Sequence, residues 1–184
     1  SLVKFCHRHL NAADLTVVEI DENVIALRDE FCVPPDDTRL RVIHADGARH
    51  VANQTERIDV LLVDAFCADG VARELGTFEF YDDARLRLSA NGMLVMNIAG
   101  SKEVYRAHVE RLLDAFDERV IAISVRDDGN YVLFAFRNPD FEPRWKFMRA
   151  IAVELQQRLK LDFPSFAQHL ERGQVLRLAQ RLSA

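Results

Sequence analysis

Short apolar runs that end in an acid alternate with stretches of helical spacing, and this alternation constrains the fold more than any other feature of the chain. Thr16-Val17-Val18-Glu19-Ile20-Asp21 and Ile58-Asp59-Val60-Leu61-Leu62-Val63-Asp64 are too short for helices and rich in β-branched and aliphatic residues. Near-continuous apolar runs bounded by helical segments predict strands of a parallel sheet that is covered on both faces. Such sheets bind ligands beyond the carboxyl ends of their strands, so an acid placed there points into the crevice. Glu19 and Asp64 occupy those positions. An acid after an early strand of such a sheet commonly accepts hydrogen bonds from ribose hydroxyls, which makes a nucleoside the first ligand to consider.

The spacing predicts a helix over 2–10, a strand over 16–20, and a helix capped by Asp21 whose apolar positions are Val24, Leu27 and Phe31. Pro34-Pro35-Asp36-Asp37 breaks that helix. A strand over 40–44, a short helix after Asp46-Gly47 and the strand over 58–64 follow. Residues 65–76 have loop character, Thr77 opens a helix over 78–88, and Asn91-Gly92 turns into a strand over 93–98. Ser101 caps an amphipathic helix with Val104, Val109, Leu112 and Phe116 on one face. Strands over 120–125 and 131–136 flank Asp127-Asp128-Gly129-Asn130, a hairpin signal, so this pair is antiparallel while the earlier, helix-separated strands are parallel. Trp145, Met148, Ile151, Ala152, Leu155 and Leu159 form a helical stripe, and 166–182 reads as further helix. The expected organisation is a Rossmann-like domain over 1–138 and a helical extension over 139–184 that packs on it or on a partner subunit.

Composition excludes several classes. The 184 residues are 49% hydrophobic and 29% charged, an ordinary globular balance, and the formal charge of −5 argues against a nucleic-acid binder. Cys6, Cys32 and Cys67 are odd in number and form no CxxC pair, which favours a reducing, cytoplasmic setting over a disulfide scaffold or a zinc site. No apolar run reaches the roughly 20 residues of a membrane span, so no membrane partner is expected. The histidines are scattered. His7 and His9 lie two apart, on different faces of one helix, and His44 at a strand end reads as structural. No metal constellation emerges.

A parallel α/β sheet that ends in an antiparallel hairpin is similar to the sheet of class I S-adenosylmethionine-dependent methyltransferases, with helices on both faces. Within that superfamily the residues from about 2 to 136 resemble the polyamine aminopropyltransferases, the spermidine synthase-like proteins. Val18-Glu19-Ile20-Asp21-Glu22-Asn23-Val24-Ile25 resembles the family's "EID…VI" segment, and His44-Ala45-Asp46-Gly47-Ala48 resembles its "GDG" segment. Asp59 to Asp64 is similar to the strand carrying the family's catalytic aspartate. Leu75-Gly76-Thr77-Phe78-Glu79-Phe80-Tyr81 and Leu88-Ser89-Ala90-Asn91-Gly92 also match its pattern. The resemblance implies that Glu19, with Ile20, holds the ribose hydroxyls and that Asp46, with Gly47, meets the adenine amine. It makes Asp64 the catalytic aspartate, with Asp69 and Tyr81 the candidates for the substrate amine. The implied co-substrate is S-adenosylmethionine or its decarboxylated form, without a metal. The implied partners are a small nucleoside and a polyamine, with a homodimer as an open expectation.

The chemistry fits these residue types. A carboxylate accepts two charge-assisted hydrogen bonds from a vicinal diol, which suits Glu19, while Asp21 is better read as a helix cap. Asp46-Gly47 also reads as a turn. A carboxylate such as Asp64 can accept the proton that an attacking amine must lose. Three departures matter. Cys67 stands where the family loop carries its second aspartate, the loop's prolines are missing, and Asp69 lies two positions later. The first strand and the glycine-rich turn expected ahead of residue 2 are missing from the sequence, so the Rossmann-like domain reads as N-terminally incomplete. The family's small N-terminal β-domain is likewise not expected within these 184 residues. The leading expectation is aminopropyl transfer from decarboxylated S-adenosylmethionine to an amine. The alternatives are a methyltransferase of the same fold and a non-catalytic homologue.

Overall fold

The computed structural model describes residues 2–67, 70–125 and 130–176. They fall into two units, Ser1–Gln54 and Thr55–Ala184, each described by itself. In the first, α1 (Leu2–His9) precedes β1 (Leu15–Glu19), α2 (Glu22–Ala26), β2 (Leu40–His44) and α3 (Gly47–Asn53). Strands β1 and β2 are parallel, in register from Leu15 opposite Leu40 to Glu19 opposite His44. Both following helices start on an aspartate: Asp21 accepts from the Asn23 amide at 2.8 Å, and Asp46 from the Arg49 amide at 2.9 Å. Helix α2 ends at Ala26, short of Leu27 and Phe31, and Val24, Leu27 and Phe31 are all exposed. Helix α1 is tied down by polar contacts. His7 Nε2 lies 2.8 Å from Asp37 Oδ2, Arg39 donates to the carbonyls of His7 and Leu10, and Lys4 donates to that of Phe31. The His7 bond, with backbone amides of Arg39 and Leu40, pulls the Asp37 carboxyl down to about 2.

The second unit opens with β3 (Ile58–Val63), a two-residue antiparallel ladder of β4 (Phe66–Cys67) and β5 (Gly70–Val71), and a 3₁₀ turn at Arg73–Gly76. Then come α4 (Phe78–Arg87), β6 (Leu88–Ile98), α5 (Lys102–Ala115), β7 (Val120–Ser124) and β8 (Tyr131–Phe136). The last described elements are α6 (Trp145–Leu159), α7 (Phe163–Arg172) and β9 (Gln174–Leu176). The sheet order is β3-β6-β8-β7-β9. Strand β3 is parallel to β6, and β8 runs antiparallel between β6 and β7, which therefore share one direction. The sequence expectation of a mostly parallel α/β sheet with an antiparallel hairpin holds. Within the first unit β1 pairs with β2, and within the second β3 pairs with β6.

The core of this unit follows from strand periodicity. Leu94, Met96 and Ile98 alternate inward along β6, Leu112, Leu113 and Phe116 of the α5 segment are buried as well, and Val120 to Ile123 of β7 are all buried, as a strand covered on both faces requires. Strand β6 starts earlier than the Asn91-Gly92 turn implied. Between Ile58 and Val60 of β3 it advances from Leu88 to Met93, so Asn91-Gly92 lies in a bulge. A Cβ on Gly92 would sit 2.8 Å from the Ile58 carbonyl oxygen, which is why glycine stands there.

The helix expected over 166–182 stops at Arg172, and β9 adds an antiparallel strand to β7. Gly173 permits this switch, since a Cβ there would meet Ile123 Cγ2 at 2.9 Å and the Ala122 carbonyl at 3.0 Å. Residues 177–182 of that expectation, like the turn at Asp127-Asp128-Gly129, lie outside the described residues. Helices α6 and α7 pack on each other, joined by the Arg149–Glu171 ion pair, and α7 packs on β7. Both belong to the unit that begins at Thr55.

Candidate active site

The acids singled out in the sequence sit at the carboxyl ends of parallel strands. Glu19 is the last residue of β1, opposite His44. Its Oε1 accepts the Asp21 amide at 2.9 Å, which turns the carboxylate back over the strand end and leaves Oε2 for a second acceptor role. Ile20 follows with its side chain 64% exposed, an apolar face beside that carboxylate, and its carbonyl lies 3.0 Å from His44 Nε2. Asp46 leaves β2 and caps α3 through Oδ1, with Gly47 as the first helical residue. An open cavity of about 420 Å³ runs along α3, lined by Ala45, Asp46, Arg49, His50, Asn53 and Gln54. The first unit therefore presents two half-committed carboxylates, an exposed aliphatic residue and the first turn of a helix at one end of a parallel pair.

In the second unit Asp64 directly follows β3. Its side chain is exposed, and Oδ1 accepts from Asn97 Nδ2 at 2.9 Å. The register explains the contact: Val63 lies opposite Met96, so the next residue of each strand falls side by side. Asn97 escaped the sequence reading. Its signal is a polar amide inside the apolar strand Met93-Leu94-Val95-Met96-Asn97-Ile98. Asp69, the candidate for the amine, lies outside the described residues.

Tyr81 is not where a substrate residue would be. It is completely buried on α4, its hydroxyl 2.6 Å from His108 Nδ1 and 3.3 Å from Met96 Sδ. The helical position of Tyr81 turns it toward the sheet, whereas its neighbours Asp82 and Asp83 point elsewhere. Burial drives the phenol far above its usual range and keeps it neutral, and burial followed by the nearby Arg111 charge holds His108 below the ordinary histidine value. A thioether only accepts, so the assignment that satisfies both contacts has His108 Nδ1–H donating to the tyrosine oxygen and Tyr81 O–H donating to Met96. Arg111, one turn further along α5, donates to the Gly76 carbonyl at 3.0 Å and lies over the Phe78 ring, 5.8 Å from its centroid.

Among the described residues, no group of three His, Cys, Asp or Glu side chains could hold a metal ion, and no helix is long and apolar enough to cross a membrane. Residues 3–122 match the Spermine/spermidine synthase domain family. The chain belongs to that family. A polyamine aminopropyltransferase from Chromobacterium violaceum is 32% identical over 172 residues, which are 93% of this chain and 66% of the relative. The chain thus spans about two-thirds of that relative's length.

Solved structures agree on the fold. A probable spermidine synthase from Corynebacterium glutamicum superposes with a TM-score of 0.63 at 22% identity, covering 77% of this chain and 53% of the other. Human methyltransferase-like protein 13, in complex with SAH, gives 0.68 at 19% identity over 92% of this chain and 74% of the other. Aminopropyl- and methyltransferase structures both match, so the structural likeness shows the fold and does not separate the two reactions.

Proposed function

We propose that the protein transfers an aminopropyl group from decarboxylated S-adenosylmethionine to an amine, as a spermidine synthase-like enzyme of the cytoplasm. The observation that carries the reading is the Asp64–Asn97 pair at the carboxyl ends of β3 and β6, in a chain of the spermine/spermidine synthase family. Each role follows from the acceptors left open. Glu19 would take the ribose diol, with Ile20 supplying apolar contact. Asp46 would accept from the exocyclic amine through Oδ2, and the Gly47 amide lies beside it. Asp64, held by Asn97, would orient the acceptor amine and take its proton. The amine lone pair forms the new C–N bond at the methylene next to the sulfonium. The C–S bond breaks, its electron pair neutralises the sulfur, and the N–H proton passes to the Asp64 carboxylate.

Charge distribution agrees with this reading. A carboxylate opposite a developing ammonium is stabilising where it is oriented in advance, and the Asn97 amide supplies that orientation at no cost during reaction. The solved human methyltransferase-like protein was captured with SAH, and spermidine synthase has been captured with the transition-state analogue AdoDATO, both nucleoside ligands.

The test is calorimetric titration with decarboxylated S-adenosylmethionine, S-adenosylmethionine and methylthioadenosine, alongside aminopropyl transfer to a panel of diamines. The reading expects tighter binding of the decarboxylated ligand, weaker nucleoside binding in Glu19→Ala, and lost turnover with retained binding in Asp64→Asn. Preference for S-adenosylmethionine with methyl transfer would replace it with the methyltransferase reading. Absence of binding to all three ligands would leave a non-catalytic homologue.

A further inference from the structure

The buried His108 takes no part in the chemistry above, yet it joins the strand that carries Asn97, the partner of Asp64, to the turn that follows the Asp64 segment. On one side it reaches β6: Nδ1 bonds the Tyr81 hydroxyl, which bonds Met96, the residue next to the Asn97 that holds Asp64. On the other it packs against the 3₁₀ turn at which the segment leaving Asp64 rejoins the helices. A Cβ on Gly76 would lie 2.7 Å from His108 Cε1, so the imidazole edge fills the space that a side chain would take. Arg111 secures the same turn by donating to the Gly76 carbonyl. His108 is only 6% exposed and Gly76 is buried, so neither contact is a surface accident. A buried imidazole is a costly choice where leucine would pack, unless its hydrogen bond fixes something.

We propose that His108 is a positioning residue for the aminopropyl transfer, holding β6 and the Arg73–Gly76 turn in one arrangement so that Asn97 presents Asp64 to the amine. The inference rests on the proposed function for its catalytic consequence, but not for its structural one. It predicts a specific division among variants. His108→Leu and His108→Asn have nearly the same shape, and only asparagine keeps an N–H where Nδ1–H was. His108→Leu should lose about ten-fold in kcat with nucleoside affinity within about two-fold, because a displacement near 1 Å at a reacting group costs up to about a hundred-fold. His108→Asn should recover most of that loss.

Two measurements on the whole chain keep the outcomes apart. The first is steady-state kinetics with nucleoside titration on the unsubstituted protein and both variants. The second is amide hydrogen exchange over 73–77 and 95–98, which needs no activity; His108→Leu should exchange faster there than His108→Asn. If the unsubstituted protein transfers no aminopropyl group, the proposed function fails and the exchange result alone decides the positioning. Equal kcat in the two variants, or equal exchange at both segments, overturns the role of His108. A uniform drop in stability with kcat unchanged in both variants would mark His108 as a packing residue and overturn it equally.

Discussion

Removing one oxygen from the core gives a quantitative test of the buried polar network. Tyr81→Phe keeps the ring, whose residue is completely buried, and deletes only the hydroxyl that lies 2.6 Å from His108 Nδ1 and 3.3 Å from Met96 Sδ. A neutral hydrogen bond contributes about 1 kcal/mol net, but the imidazole N–H left behind has no solvent to turn to, which raises the expected loss to about 1–3 kcal/mol. Tyr105→Phe is the control. Its ring stacks on Tyr131 at a centroid distance of 3.9 Å, but it is only half-buried, so deleting its hydroxyl should change stability by less than about 0.5 kcal/mol. Urea denaturation at neutral pH reads both. The double variant sharpens the reasoning: Tyr81→Phe with His108→Leu replaces both polar partners and should be less destabilised than the sum of the single losses. Acidification adds a second axis. His108 titrates below the ordinary histidine value because of its burial and the Arg111 charge, so the unfolded chain takes up its proton first. The stability held by the neutral imidazole is full above about pH 6.5 and is lost as the pH falls through the lower folded-state value. The gap in stability between the parent and His108→Leu should therefore narrow on acidification. A loss below about 0.5 kcal/mol in Tyr81→Phe, or strict additivity in the double variant, would refute the network.

Two further substitutions test the supports of the site. Asn97→Leu removes the 2.9 Å bond to Asp64 while keeping side-chain size; since the carboxylate is exposed, water replaces the bond and stability should move by less than about 1 kcal/mol, whereas kcat should fall about ten-fold. Parallel urea and kinetic measurements separate the two, and an unchanged kcat would remove Asn97 from the site. Gly92→Ala forces a Cβ to within 2.8 Å of the Ile58 carbonyl and 2.9 Å of the Ser89 amide, both backbone atoms that cannot rotate away. The bulge must shift, at a cost of about 1–3 kcal/mol in denaturation, and a stable variant would show that β6 tolerates another register.

What could be read from the sequence was what local chemistry decides. Asp21, Thr77 and Ser101 are the caps expected, and each accepts a hydrogen bond from the first turn of its helix. The parallel and antiparallel pairings followed from which strands a helix separates. The misses need tertiary information. Leu27 and Phe31 keep the helical period of α2, yet the chain leaves the helix at Ala26, because a period survives only where a partner covers it. Strand β9 is three residues long and exists only by pairing with β7, fifty residues earlier in the chain. Tyr81 and Asp82 are neighbours on one helix, and only packing tells which of them faces the sheet. Asn97 shows locally only as a polar amide in an apolar strand and His108 shows nothing; their roles depend on the pairing of Val63 with Met96 and on the contact of α5 with the 3₁₀ turn.

The three strand-end acids differ in one respect from Asp36 and Asp37, the acids that hold the first unit together. Asp37 spends both oxygens: Oδ1 takes the amides of Arg39 and Leu40, and Oδ2 takes His7. Asp36 likewise uses Oδ1 for Arg28 and Oδ2 for the Val42 amide. Among the described residues, Glu19, Asp46 and Asp64 each use one oxygen, for the Asp21 amide, the Arg49 amide and the Asn97 side chain. A single local bond fixes the plane of a carboxylate and leaves its second oxygen to a ligand. That is the preorganisation a binding or proton-accepting acid needs, since orientation is settled before the ligand arrives. The partners also differ in kind. Backbone amides hold Glu19 and Asp46, and no side-chain substitution deletes those bonds. Asp64 alone depends on a side chain from another strand. Its orientation therefore rests on the β3–β6 register and, through Met96, on Tyr81 and His108, so substitutions far from the acid should reach it, while the other two should be indifferent to them.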